Sequence, residues 1–178
     1  MRRVLLGAAL APALLAGCGG ESRVVAPVAC PTPDILSDGA DLTVYRPGPV
    51  HDLTTLEFDA RMTGLHGGCN RGSGDRSVQM LLTAGFAVER GAASDARQVV
   101  LPWFVAVVDK RDGQVLDRQA YRDTLTFEPN ASRANGDSQQ VQLNLPVSEE
   151  RKAQDYRVVV SFQLTPEQLE MNRRRGPR

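Results

Sequence analysis

The sequence predicts an all-β protein: an antiparallel β-sandwich of seven or eight strands with a short C-terminal helix. Three observations carry this. From Asp41 onward apolar residues recur at every second position, the period of a strand with one face buried. The alternating segments are separated by turn-forming stretches such as Asp112-Gly113. Helix-start chemistry stands out in the last fourteen residues, from Thr165. The same pattern also fits a barrel or a transthyretin-like sandwich. At 178 residues the chain is long enough for one domain with a hydrophobic core.

The chain opens on Met1-Arg2-Arg3, an apolar run from Val4 to Leu15, and then Ala16-Gly17-Cys18. A membrane-crossing helix needs about 20 apolar residues; this run is shorter, and Pro12 interrupts it. A basic start, a short apolar stretch and small residues before a cut are the parts of a secretion signal. Leu15-Ala16-Gly17-Cys18 resembles the lipobox of bacterial lipoproteins, a likeness that covers residues 1–18. The resemblance implies a signal peptide over residues 1–17, cleavage before Cys18, and lipidation of Cys18, the anchor to the membrane. Several acyl chains, at roughly 0.8 kcal/mol per buried CH₂, make such an anchor stable. In that family an Asp after the cysteine often retains the protein in the inner membrane. Gly19 and Gly20 stand here instead, which implies the outer membrane, facing the periplasm. The competing reading is an ordinary secretory signal cut elsewhere.

Residues 18–28 comprise the lipidated cysteine and a flexible tether, glycine-rich and polar at its start. The sandwich is expected over residues 29–165, and a short helix with a basic tail over 166–178. Pro31 and Pro33 favour extended backbone. The stretch from Asp34 to Asp41 carries turn chemistry at Asp38-Gly39 and lacks the oxygen-ligand pattern of an EF-hand. Cys30 and Cys69 are the remaining cysteines. The oxidising compartment implied by the lipobox makes this pair a disulfide. The rivals are a metal site or a reactive thiol pair, but only His51 and His66 could assist, without ligand spacing.

Leu56, Phe58, Ala60 and Met62 alternate with polar residues as a half-buried strand. The glycine-rich stretch from Leu65 to Gly74 reads as a hairpin loop pinned by Cys69. It is no phosphate loop, since it does not match GxxxxGK[ST] and no helical pattern follows. Val78 to Val88 alternate again, with Gly85 marking a bulge or bend. Val99 to Val108 is apolar on both phases, as in a central strand covered on both faces or a strand that passes beneath something. Pro102 within it calls for a bulge or an edge, and Trp103 reads as a core residue. Asp112-Gly113 turns the chain into a strand from Val115 to Phe127. Glu128 to Ser138 reads as a long polar loop. Val141, Leu143 and Leu145 form a further strand, Pro146 to Asp155 a charged crossover, and Tyr156 to Leu164 the last strand.

Leu145-Pro146, a connection, and Tyr156-x-Val158-x-Val160 resemble the tyrosine corner of immunoglobulin-like sandwiches, across about 20 residues. The resemblance implies a Tyr156 hydroxyl bonded back to the connection. Thr165-Pro166-Glu167 is an N-cap, a proline at the first helical position and an acid in the first turn. The helix ends in a basic tail from Arg173 to Arg178, a solvated end or a contact for anionic lipid headgroups.

Formal charge is zero, with 21 basic and 21 acidic residues, and loss of Arg2 and Arg3 on cleavage leaves 19 against 21. Such a balance gives no electrostatic footprint for nucleic acid. There is no GxSxG, SxxK or Cys/His arrangement, and no catalytic residue, metal or cofactor is expected. The expected function is a non-enzymatic protein-interaction or envelope-assembly module, held at the membrane by its lipid and binding an envelope protein. The alternative is a small-ligand carrier or sensor, which would need an apolar pocket.

Overall fold

The structure, a computed structural model, describes residues 28–176. Residues 1–17, Cys18, most of the tether and the last two residues of the tail lie outside the described residues. The strands are β1 (Pro33–Ile35), β2 (Asp41–Tyr45), β3 (Leu56–Arg71), β4 (Ser77–Arg90), β5 (Gln98–Asp109), β6 (Val115–Thr126), β7 (Arg133–Asp137), β8 (Val141–Pro146) and β9 (Tyr156–Phe162). Helix α1 (Pro166–Arg175) follows.

These elements form an antiparallel β-sandwich of two sheets. The first, sheet A, has the order β1-β9-β5-β6; only β1 and β9 run parallel. The second, sheet B, runs β2-β3-β4, with β7 and β8 lying one after the other along the far side of β4. Between the sheets lie the inward phases of every long strand, from Met80, Leu82 and Phe86 on β4 to Leu101, Trp103 and Val105 on β5. Each such fully buried side chain contributes about 1.5–3 kcal/mol.

The sandwich carries more strands than the alternation alone announces. The stretch from Glu128 to Ser138 is not all loop: β7 pairs with Gly85–Glu89 through its main chain, and its side chains are largely exposed, so no apolar period marks it. The glycine-rich stretch is also strand. Leu65 to Arg71 pairs with Ala84 to Val78, and the connection shrinks to Gly72–Arg76. A Cβ on Gly67 would lie 2.0 Å from the Leu81 carbonyl oxygen, so this close approach admits only glycine. The bulge sits on β3, between Met62 and Gly64, opposite Phe86 and Gly85.

Pro102 needs neither a bulge nor an edge strand. It lies one residue beyond the last β5–β9 pair, Trp103 with Phe162. There its carbonyl accepts from the Gln163 N–H and no donor is required of it. The tyrosine corner is present: the Tyr156 hydroxyl donates to the Pro146 carbonyl at 2.5 Å. Cys30 and Cys69 form a disulfide with Cα atoms 5.5 Å apart, fastening the entry of the chain to the far end of β3.

Helix α1 is built as its caps announce. The Thr165 hydroxyl accepts from the Gln168 N–H while the Gln168 side chain accepts from the Thr165 N–H. The helix lies against β2, the edge strand of sheet B. Gln168 Nε2 donates to the Thr43 carbonyl, and Asn172 Nδ2 to the carbonyls of Asp38 and Asp41. Spaced four apart on one helix face, these two amides occupy acceptors that an edge strand otherwise leaves open.

Candidate interaction surface

Strand β5 is central in sheet A and pairs on both sides, with β6 and β9. Its odd residues, Val99 to Val107, face the core. Its even residues face away from sheet B, where the 3₁₀ turn at Ser37–Gly39 and α1 border Phe104, and Ala106 is buried. Val100 is 44% exposed, and Pro102, Phe104 and Val108 are half-buried. The run from Val99 to Val108 is therefore covered on its outer face only in part, at Ala106 and beside Phe104, and is open at Val100. On the same outer face, exposed Ala120 and Leu116 of β6 extend the apolar surface. The outer face of sheet B is polar by contrast, with Gln142 and Asn144 exposed on β8 and Glu89 paired with Arg133.

The apolar face continues into a groove of about 320 Å³ between the 3₁₀ turn at Ser37–Gly39 and α1. Phe104 and Ser161 form its floor, and Leu36, Leu164 and Leu169 its walls. Arg173 also lines this groove, bound to Asp38 at 3.1 Å.

Strand β6 is the edge of this sheet. It pairs only with β5 among the described residues. The Phe127 N–H donates to the Arg97 carbonyl just beyond the ladder. Antiparallel alternation therefore turns the main-chain groups of odd residues toward β5 and those of Arg118, Ala120, Arg122 and Thr124 outward. The guanidinium of Arg118 stacks on the Phe104 ring, 4.1 Å from its centroid. The inward side of β6 carries a polar chain instead: Tyr121 donates to Gln119 at 2.6 Å, and Gln119 to Asp117 at 2.8 Å. Burial, and then the nearby Asp117 carboxylate, raise the Tyr121 hydroxyl above its ordinary pKa.

The other candidates fall elsewhere. Trp103 is fully buried, and its Nε1 donates to Asp123 at 2.6 Å. His66 is exposed on β3. His51 stacks on Tyr45, 5.0 Å between centroids, and its Nδ1 lies 3.5 Å from Glu167. These residues line a cleft of about 310 Å³ between α1 and residues 46–55. Of the threonine hydroxyls there, Thr165 accepts as the helix cap and Thr43 donates to Asp59. No group of three His, Cys, Asp or Glu side chains that could hold a metal occurs among the described residues. The acids of the Asp34–Asp41 stretch each take an arginine: Asp34 with Arg157, Asp38 with Arg173 and Asp41 with Arg61.

Sequence reasoning missed Phe104, Arg118 and Arg122. The apolar outward phase of β5 is visible in the sequence, but whether anything covers it is not. Comparison with known family models, with curated proteins and with solved structures finds no match to this chain.

Proposed function

We propose that this chain is a lipid-anchored envelope protein whose sandwich serves as a non-enzymatic module for binding a protein partner. The observation that supports it is the outer face of sheet A. A strand of alternating period normally spends its polar phase on solvent. Here β5 presents Val100, Pro102, Phe104 and Val108 instead, partly exposed and continuous with the groove at Leu36 and Leu169. A contiguous apolar patch with a charged rim is the usual mark of a protein contact. The lipobox resemblance at Cys18 supplies the location, the periplasmic side of the outer membrane.

The test uses the full-length, lipidated chain in cells, with a photo-crosslinking residue at Val100 or Ala120 and, as control, at Gln142 on the opposite sheet. The expected result is one envelope protein captured from both sheet A positions, not from Gln142, and lost in the Phe104→Glu variant. Adducts equal from both sheets, or none from sheet A, would overturn the reading. A second reading, a small-ligand carrier, is favoured by the cleft at Tyr45 and His51, whose volume is at the lower end for small-molecule sites.

A further inference from the structure

We propose that the partner adds an extended strand to β6, and that Arg118 and Arg122 select one carrying two carboxylates four residues apart. The inference rests on the interaction-module reading above and names the chemistry of its partner.

Three observations carry it. The first is the open edge. Arg118, Ala120, Arg122 and Thr124 direct N–H and C=O groups away from β5, and no main-chain partner meets them among the described residues. The corresponding edge of sheet B at β2 is treated differently, its carbonyls at Asp41 and Thr43 being taken by Asn172 and Gln168 of α1. The second is charge. Arg157 and Arg173, the other arginines bordering this face, are each paired with an aspartate, at 3.5 and 3.1 Å. Arg118 and Arg122 have no carboxylate within ion-pair distance among the described residues. They lie on one face of one strand, about 13 Å apart along it. The third is preorganisation. The Arg118 guanidinium carbon sits over the Phe104 ring, 4.1 Å from its centroid, and a guanidinium seated on a ring keeps N–H groups for a carboxylate.

An added antiparallel strand sets its residues directly opposite those of β6, side chains on the same face. Carboxylates opposite Arg118 and Arg122 then flank one residue opposite Ala120. An apolar side chain there covers Ala120 and the Phe104 ring, its register neighbour on β5. The other face of the added strand meets Gln119, Tyr121 and Asp123, and so takes hydroxyl side chains. Self-association through β6 is disfavoured by the same arithmetic. A twofold axis perpendicular to the sheet at Ala120 sets Arg118 against Arg122 and Asp117 against Asp123, like charge against like.

The test is fluorescence anisotropy on the full-length chain in detergent. The probe is a labelled ten-residue peptide with threonine on one face and glutamate, valine, glutamate on the other. A second probe replaces both glutamates by lysine. The glutamate probe is expected to bind at least roughly tenfold tighter, and N-methylation of alternate residues, which removes main-chain donors, is expected to abolish binding. In the double variant Arg118→Glu and Arg122→Glu the preference is expected to invert. Gained binding of the lysine probe in that variant is also the control for its folding. Equal binding of the two probes, or a preference unmoved by the reversal, would overturn the proposal. So would concentration-dependent dimerisation that the double variant abolishes, or anionic vesicles displacing the glutamate probe from β6. If the probes bind alike while crosslinks from Val100 and Ala120 persist, the module reading stands and the acidic-strand reading falls.

Discussion

Trp103 is the largest side chain held fully out of solvent, and it ties core packing to the polar interior of β6. Its ring packs edge-on against Phe86 and at a tilt of 30° against Tyr121, with centroids 5.9 and 4.9 Å away. Its Nε1 donates to Asp123, whose second oxygen accepts from the Gln139 N–H at 2.9 Å and so links β6 to the start of β8. Trp103→Phe keeps most of the apolar surface and removes one charge-assisted donor. The expected cost is about 1–3 kcal/mol, against about 3–5 kcal/mol for Trp103→Ala, which also leaves a cavity. Urea unfolding midpoints of the two variants separate the hydrogen bond from the packing. Tyr156 invites the same comparison, because its hydroxyl donates to the Pro146 carbonyl and its ring lies in the core.

At the scale of elements, two attachments decide how firmly the sandwich is closed. The first is α1 on β2. Asn172 is buried and donates to two carbonyls, so Asn172→Ala leaves one buried and one part-buried acceptor unmet, at an expected cost of about 1–3 kcal/mol. Faster amide exchange in β2, with the core of β4 and β5 unchanged, would locate the effect in that edge. The second is the crossover from β8 to β9, clamped to the β5–β6 hairpin. Arg151 meets buried Asp109 at 2.6 Å, and Arg111 meets Asp155 at 3.2 Å. The Asp155 carboxyl is held below its ordinary pKa, first by the Lys152 N–H and then by Arg111. A lowered value in the folded state means that this stabilisation is complete above about pH 4 and fades as pH falls through the lowered value. The stability gap between the parent chain and Asp155→Asn should therefore hold steady above about pH 4 and narrow as pH falls below it, as read by urea unfolding at each pH. Elements of this kind differ in how plainly they are written. The long strands announce themselves because half-burial imposes a period of two, and α1 because its cap residues have no other use. Strand β7 and the end of β3 do not, since they are held by main-chain pairing and by the steric need for Gly67, neither of which leaves an apolar period.

At the scale of the whole molecule, what the sequence hides is which surfaces face nothing. The apolar double phase of Val99 to Val108 reads identically whether a second layer of the same chain or another protein covers it, and the edge position of β6 follows only from the assembled strand order. The strand directions also set an axis. Val28 packs at the end of the sandwich that holds the disulfide, the β5–β6 hairpin and the β8–β9 crossover; residues 46–55 and the start of α1 sit at the other. An anchor at Cys18, ten residues before Val28, then leaves the sheet A face standing along the side of the molecule within a tether reach of about 35 Å. Cys18→Ser separates anchor from module. The variant is expected in the soluble periplasmic fraction, with an unchanged unfolding midpoint, because Cys18 precedes the described residues 28–176 in the sequence. Its crosslinks from Val100 and Ala120 should weaken at native expression and return on overexpression. On the proposed reading, a lipid at Cys18 would contribute local concentration rather than contacts. Retention of the variant in the membrane fraction would remove the lipobox reading, and loss of crosslinking at any expression level would make the lipid part of the binding surface itself.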